Sequence, residues 1–134
     1  MGPRIVVRFI MRLYGPISSG PAVGANGEAT ANKDSSISLE GYVVGVYVDY
    51  KGSPPAATTD VTVKTKGTKL PSYNILKLTN GATNGLYLPR KEAVTDAGAA
   101  ASGIIDVIPV FDFLNVLIEG ANADDYAEVY LLLE

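Results

Sequence analysis

"GYVVGVYVDYKGSPPAATTDVTVKTKG", residues 41–67, holds two alternating runs joined by a linker of Gly, Ser, Pro, Ala and Thr. Successive side chains of a strand point to opposite faces, so a period of two marks a strand and a period near 3.6 a helix. In the first run Tyr42, Val44, Val46, Val48 and Tyr50 share one face, and Val43, Gly45, Tyr47 and Asp49 share the other. Both faces are largely apolar, which predicts a strand placed centrally in the fold. Gly45 marks a bulge or a close backbone approach within it. In the second run Val61, Val63 and Thr65 face inward, and Asp60, Thr62, Lys64 and Lys66 face water. The linker is too long for a two-residue hairpin turn, and its Pro54–Pro55 pair makes it stiff.

The pattern extends in both directions. Over residues 4–14, Ile5, Val7, Phe9, Met11 and Leu13 alternate with Val6, Arg8, Ile10, Arg12 and Tyr14. The β-branched residues in that run favour a strand over a helix. Residues 15–36 are rich in Gly, Pro, Ser and Asn, which predicts a long loop or extended arm with a short edge strand at 28–32. Downstream, "SYNILKLT" (72–79) reads as a strand, and "NGATNG" (80–85) offers two Asn-Gly turns. "LYLPRKEAV" (86–94) begins as a strand limited by Pro89, and "TDAGAAASG" (95–103) reads as a small, flexible link. "IIDVIPVFDFLNVLIEG" (104–120) carries one or two strands broken at Pro109. In "YAEVYLLLE" (126–134), Ala127, Val129, Leu131 and Leu133 alternate with Tyr126, Glu128, Tyr130 and Leu132. Seven to nine strands and no helix predict an all-β chain: an antiparallel β-sandwich, jelly-roll-like or immunoglobulin-like. An N-terminal strand and arm would occupy residues 1–36, and the sandwich domain residues 37–134.

Composition narrows the chemistry. The chain has 134 residues with no Cys, His or Trp, eight Tyr and a formal charge of -3. Without His and Cys, the usual general base, the thiolate and the commonest metal ligands are missing. Charges of both signs are scattered with no basic stripe, so nucleic acid is not an expected partner. Apolar runs reach only about ten residues, short of the ~20 a membrane-spanning helix needs. Arg4, Arg8 and Arg12 are spread through the first apolar run, unlike the separated regions of a signal peptide. The Gly-rich segments match no phosphate loop or dinucleotide fingerprint, so no cofactor is expected.

Carboxylates are the remaining candidates for chemistry. "NADD" (Asn122, Asp124, Asp125) lacks the spacing and closing Glu of a calcium loop and reads as a hairpin turn. Asp106 and Asp112 form a conceivable glycosidase pair that nothing else in the chain supports. The expectation is therefore a non-enzymatic protein with no catalytic, cofactor or metal residues. Among surface charges, "PRKEAV" (Arg90, Lys91, Glu92) is a candidate for contacting an acidic partner or a phosphate, and the Arg4/Arg8/Arg12 row for pairing with carboxylates of an adjacent chain. Each is weighed against ordinary solvated charge.

"GYVVGVYVDYKGSPPAATTDVTVKTKGT", "LYLPRKEAV", "DVIPVFDFLNVLIEGA" and the final "VYLLLE" together resemble small β-sandwich virion proteins of tailed bacteriophages, above all capsid decoration (cement) proteins. The likeness covers about residues 42 to 134 and includes no catalytic motif. It implies a homo-oligomer, with a trimer favoured, that binds the major capsid protein on the virion surface after synthesis in the host cytoplasm. It also implies that the opening stretch works by packing. The expected assembly contacts are Ile5, Val7, Arg8, Phe9, Arg12, Leu13, Arg90 and Lys91, with Ile5, Val7, Phe9 and Leu13 buried. The alternative is a carbohydrate- or receptor-binding module of an adhesin or fibre tip, which an aromatic platform would favour. An enzyme would need a buried carboxylate pair with shifted pKa values.

Overall fold

The computed structural model describes residues 10–52 and 54–134, and every regular element among them is a strand. The strands are β1 (Arg12–Ser18), β2 (Ala29–Asp34), β3 (Leu39–Lys51), β4 (Asp60–Thr65), β5 (Asn74–Leu78), β6 (Gly85–Tyr87), β7 (Lys91–Val94), β8 (Ala100–Asp106), β9 (Ile108–Asp112), β10 (Leu114–Ala121) and β11 (Tyr126–Leu133). One sheet runs β1-β11-β3-β6, with β9 also on β3; a second runs β2-β10-β4-β5; β7 and β8 pair only with each other. All these pairings are antiparallel. The first two sheets stack as a β-sandwich around one apolar cluster. Val43, Val46, Val48, Val129 and Leu131 reach it from the first sheet, and Val61, Val63, Leu114, Val116 and Ile118 from the second. Each such side chain contributes about 1.5–3 kcal/mol of gross burial energy.

The strand with two apolar faces contains a kink in its alternation. Along β3, Gly45 pairs with Leu132 while Val43 pairs with Leu133, which leaves Val44 as an extra residue. This β-bulge flips the phase. Val43 is buried below it, Val46, Val48 and Tyr50 are buried above it, and Tyr42 is 53% exposed. The expected Tyr42/Val44/Val46 face is thus split in two. By contrast, β11 keeps the expected alternation, with Ala127, Val129, Leu131 and Leu133 buried, and β4 buries Val61, Val63 and Thr65 as expected but also Thr62, which was expected to face water.

The bulge coincides with a gap in the neighbouring strand. β6 pairs with Val48–Val46, and β9 pairs with Val43–Leu39 in the same direction. They form one edge strand interrupted at residues 44–45, and there the chain leaves the sheet as the β7–β8 ribbon. The Arg90 guanidinium at the ribbon root donates to the Val44 carbonyl (3.1 Å) and to the Pro89 carbonyl (2.8 Å).

Several sequence expectations are corrected. The described residues form eleven strands, two more than the upper expectation. The expected loop or arm over 15–36 is built into the sandwich at its start, where β1 continues to Ser18 and pairs with β11, while the short edge strand expected at 28–32 is present as β2, which pairs with β10. A bulge between Tyr14 and Ile17 carries β1 past its Gly-Pro step, and at Gly15 a Cβ would lie 2.8 Å from the Val129 carbonyl oxygen. Pro109 does not break a strand; it sits inside β9 opposite Tyr42. The Tyr42 backbone bonds to Glu134 on its other side, so the ladder asks no N–H of Pro109. The small residues at 95–103 include the turn and first part of the β7–β8 ribbon.

Candidate functional site

The two outer faces of the sandwich differ in chemistry. On the β2-β10-β4-β5 sheet the outward side chains include Asn32, Asp34, Lys64, Lys66, Asn115 and Leu117, which line a shallow hollow of about 310 Å³. The polar groups bond to one another. Lys66 pairs with Asp34 at 2.9 Å, and Asn115 donates to Asp34 at 2.9 Å and to Asn32 at 3.3 Å. The Lys66 ammonium, then the Asn115 amide, hold the Asp34 carboxyl below its ordinary pKa. This face is satisfied in water.

The outer face of the β1-β11-β3-β6 sheet is apolar across its width. Register places Leu13 opposite Leu132, Leu132 opposite Gly45, Tyr130 opposite Tyr47, and Tyr47 opposite Leu86. Leu13 is 71% exposed, Leu86 62% and Leu88 59%. Gly45 makes the floor: a Cβ there would stand 3.3 Å from Leu88 and 3.4 Å from Leu86. Tyr47 and Tyr130 lie with ring centroids 6.1 Å apart and planes tilted by 50°. Polar groups close one end of the strip, where Lys51 pairs with Asp49 at 2.9 Å and Asn84 donates to Asp49 at 2.9 Å. An apolar centre with a polar rim is the anatomy of a protein interface.

The β7–β8 ribbon extends this surface. Val94 is 64% exposed, Ile104 60% and Ile105 65%. Ile104 and Ile105 are consecutive in a strand and so point to opposite faces, which leaves neither face of the ribbon covered. A two-stranded ribbon in water is marginally stable at best.

The residues expected at a site have varied fates. Ile5, Val7, Arg8 and Phe9 lie outside the described residues. Leu13 is exposed and not buried by its own sandwich, because the bulge in β1 puts Ile17 on the inner face and Leu13 on the outer one. Arg12 donates to the Glu40 carbonyl at 2.9 Å, across the end of β11. Arg90 holds the bulge, and Lys91 stands exposed opposite Asp106 at the ribbon root. Asp106 is exposed, whereas Asp112 is buried in the turn between β9 and β10. Asp112 accepts from the backbone of Gly67, Thr68 and Phe113 and from the Thr68 hydroxyl. The Thr68 hydroxyl, with those backbone donors, lowers its pKa to about 2. Its oxygens are committed to fastening the β4–β5 loop. "NADD" is a turn between the two sheets and not a hairpin: Asp125 N–H donates to the Asn122 carbonyl at 3.2 Å and Asp124 N–H to the Ala22 carbonyl at 2.8 Å. Among the described residues no cluster of three carboxylates capable of holding a metal occurs.

Tyr47, Leu86, Leu88, Tyr130 and Leu132 went unmarked as site residues in the sequence. The signal was present. Strands apolar on both faces require cover on both, and a two-layer sandwich covers only one. Comparison of the chain with protein-family models, curated proteins and solved structures finds no match.

Proposed function

We propose that this is a non-enzymatic assembly protein that docks through the outer face of the β1-β11-β3-β6 sheet. The observation that carries the reading is the contrast between that apolar strip and the self-satisfied polar face opposite. The resemblance to phage decoration proteins supplies the partner: the major capsid protein, bound as a homo-oligomer, with a trimer favoured, on the virion surface. A module that binds only the assembled lattice stabilises it by mass action. Of the acidic groups weighed for catalysis, Asp112 fastens the β4–β5 loop and Asn122–Asp125 forms a turn, in keeping with this role. The test is co-sedimentation with emptied phage heads, alongside a mass-spectrometric inventory of purified virions. Leu86→Lys should weaken lattice binding by at least about tenfold, the effect of one buried anchor residue. Absence from virions, or undiminished binding by Leu86→Lys, would retire the proposal.

A carbohydrate- or receptor-binding module remains the second reading, favoured by the Tyr47–Tyr130 pair. Rings tilted by 50° do not offer one flat platform to a sugar. Glycan-array binding that Tyr47→Ala abolishes would decide for it.

A further inference from the structure

We infer that the β7–β8 ribbon is the docking site for the N-terminal segment of a second copy of this chain. The inference rests on the assembly reading and names the contact within the oligomer. Among the described residues nothing pairs with either outer edge of the ribbon or covers its faces, and Val94, Ile104 and Ile105 are exposed. An open edge is a template for an added strand, which takes affinity from the backbone and specificity from alternate side chains. The occupant must therefore be an extended, alternating, apolar segment.

The chain holds one such segment outside the described residues. "MGPRIVVRF", residues 1–9, alternates Ile5, Val7 and Phe9 with Val6 and Arg8. Nine residues reach at most about 30 Å when extended. Charge fits as well. The ribbon carries three carboxylates (Glu92, Asp96 and Asp106) against one ammonium (Lys91), while residues 1–12 hold Arg4, Arg8 and Arg12 and no acid. The direction of the chain points to a neighbour. β1 ends its pairing at Arg12 opposite Leu133, and beyond it Met11 is 52% exposed and Ile10 78%. The described chain thus begins already clear of its own sandwich.

The absence of Cys makes the test clean. Full-length Val7→Cys is mixed with full-length Ile105→Cys under mild oxidation, with Lys77→Cys on exposed β5 replacing Ile105→Cys as the control. Docking should form the covalent heterodimer at least about tenfold faster than the control, through raised effective concentration. About 0.5 M salt should slow it, since exposed charges are then screened. Equal rates with both partners would overturn the inference. So would a covalently closed monomer from the doubly substituted Val7→Cys/Ile105→Cys chain while the mixed single variants stay uncoupled. Failure here with Leu86→Lys still losing lattice binding removes the ribbon contact alone. Coupling without lattice binding upholds the contact and removes the decoration reading.

Discussion

Leu131→Ala and Leu132→Ala differ by one position on β11 and should differ severalfold in cost. Leu131 is fully buried on the strand that lies between β1 and β3. Truncation removes three carbons from a site walled by two ladders, so the surroundings cannot collapse into the void. The lost transfer energy plus the cavity should total roughly 3–5 kcal/mol. That is a large share of the 5–15 kcal/mol typical of a folded domain. With roughly 3–6 °C per kcal/mol at this chain length, melting should fall by about 10–30 °C. Leu132 is half-buried on the outer face, where truncation opens no enclosed void, and should cost about 1 kcal/mol. Urea titration followed by far-ultraviolet circular dichroism measures both, at two protein concentrations. A concentration-dependent cost for Leu132→Ala would belong to an interface and not to the monomer. A cost below about 1 kcal/mol for Leu131→Ala, or equal costs that do not vary with concentration, would refute the inner and outer assignment of β11.

Three further outcomes follow from other contacts. Arg90→Ala frees the Val44 carbonyl and should cost about 1 kcal/mol, with faster amide exchange at the ribbon root than in β11. Asp112 has a folded pKa of about 2, below its ordinary 3.8. Its contribution is therefore present above about pH 4 and lost as pH falls through about 2, so melting temperature should drop across that window and Asp112→Asn should flatten the drop. Excising residues 89–106 joins Leu88 to Val107, two residues facing the two unpaired positions Val44 and Gly45 between β6 and β9; thermal melting should remain cooperative, and loss of the transition would contradict the interrupted-strand description.

Much of the sandwich was legible because two-residue periodicity survives wherever one face is buried. β11 illustrates this, with side chains that fall as its alternation predicts. β3 departs from the same reading at one residue: the bulge that Gly45 marked adds Val44 as an extra position, and the alternation changes phase across it. The ribbon was missed because Ala and Gly rank low among strand formers, and its strands form through pairing alone. The apolar outer strip was visible as apolarity but was assigned to the interior. Leu132 and Tyr47 look like core residues until the layer count shows that nothing lies over them.

The pairing of β1 with β11 sets the order of events at the ribosome. β1 has no other partner in its sheet, and Arg12 waits for Leu133. β3 likewise has one long side open until Tyr126–Leu133 has been made. β1 and β3 thus both wait on a strand far along the chain, a long-range contact that is slow to find. The nascent chain holds β1 without its β11 partner until residues 126–133 are made, and chains cut short before residue 126 cannot close this sheet. The exposed interval of synthesis for this sheet runs from the emergence of β1 to that of β11.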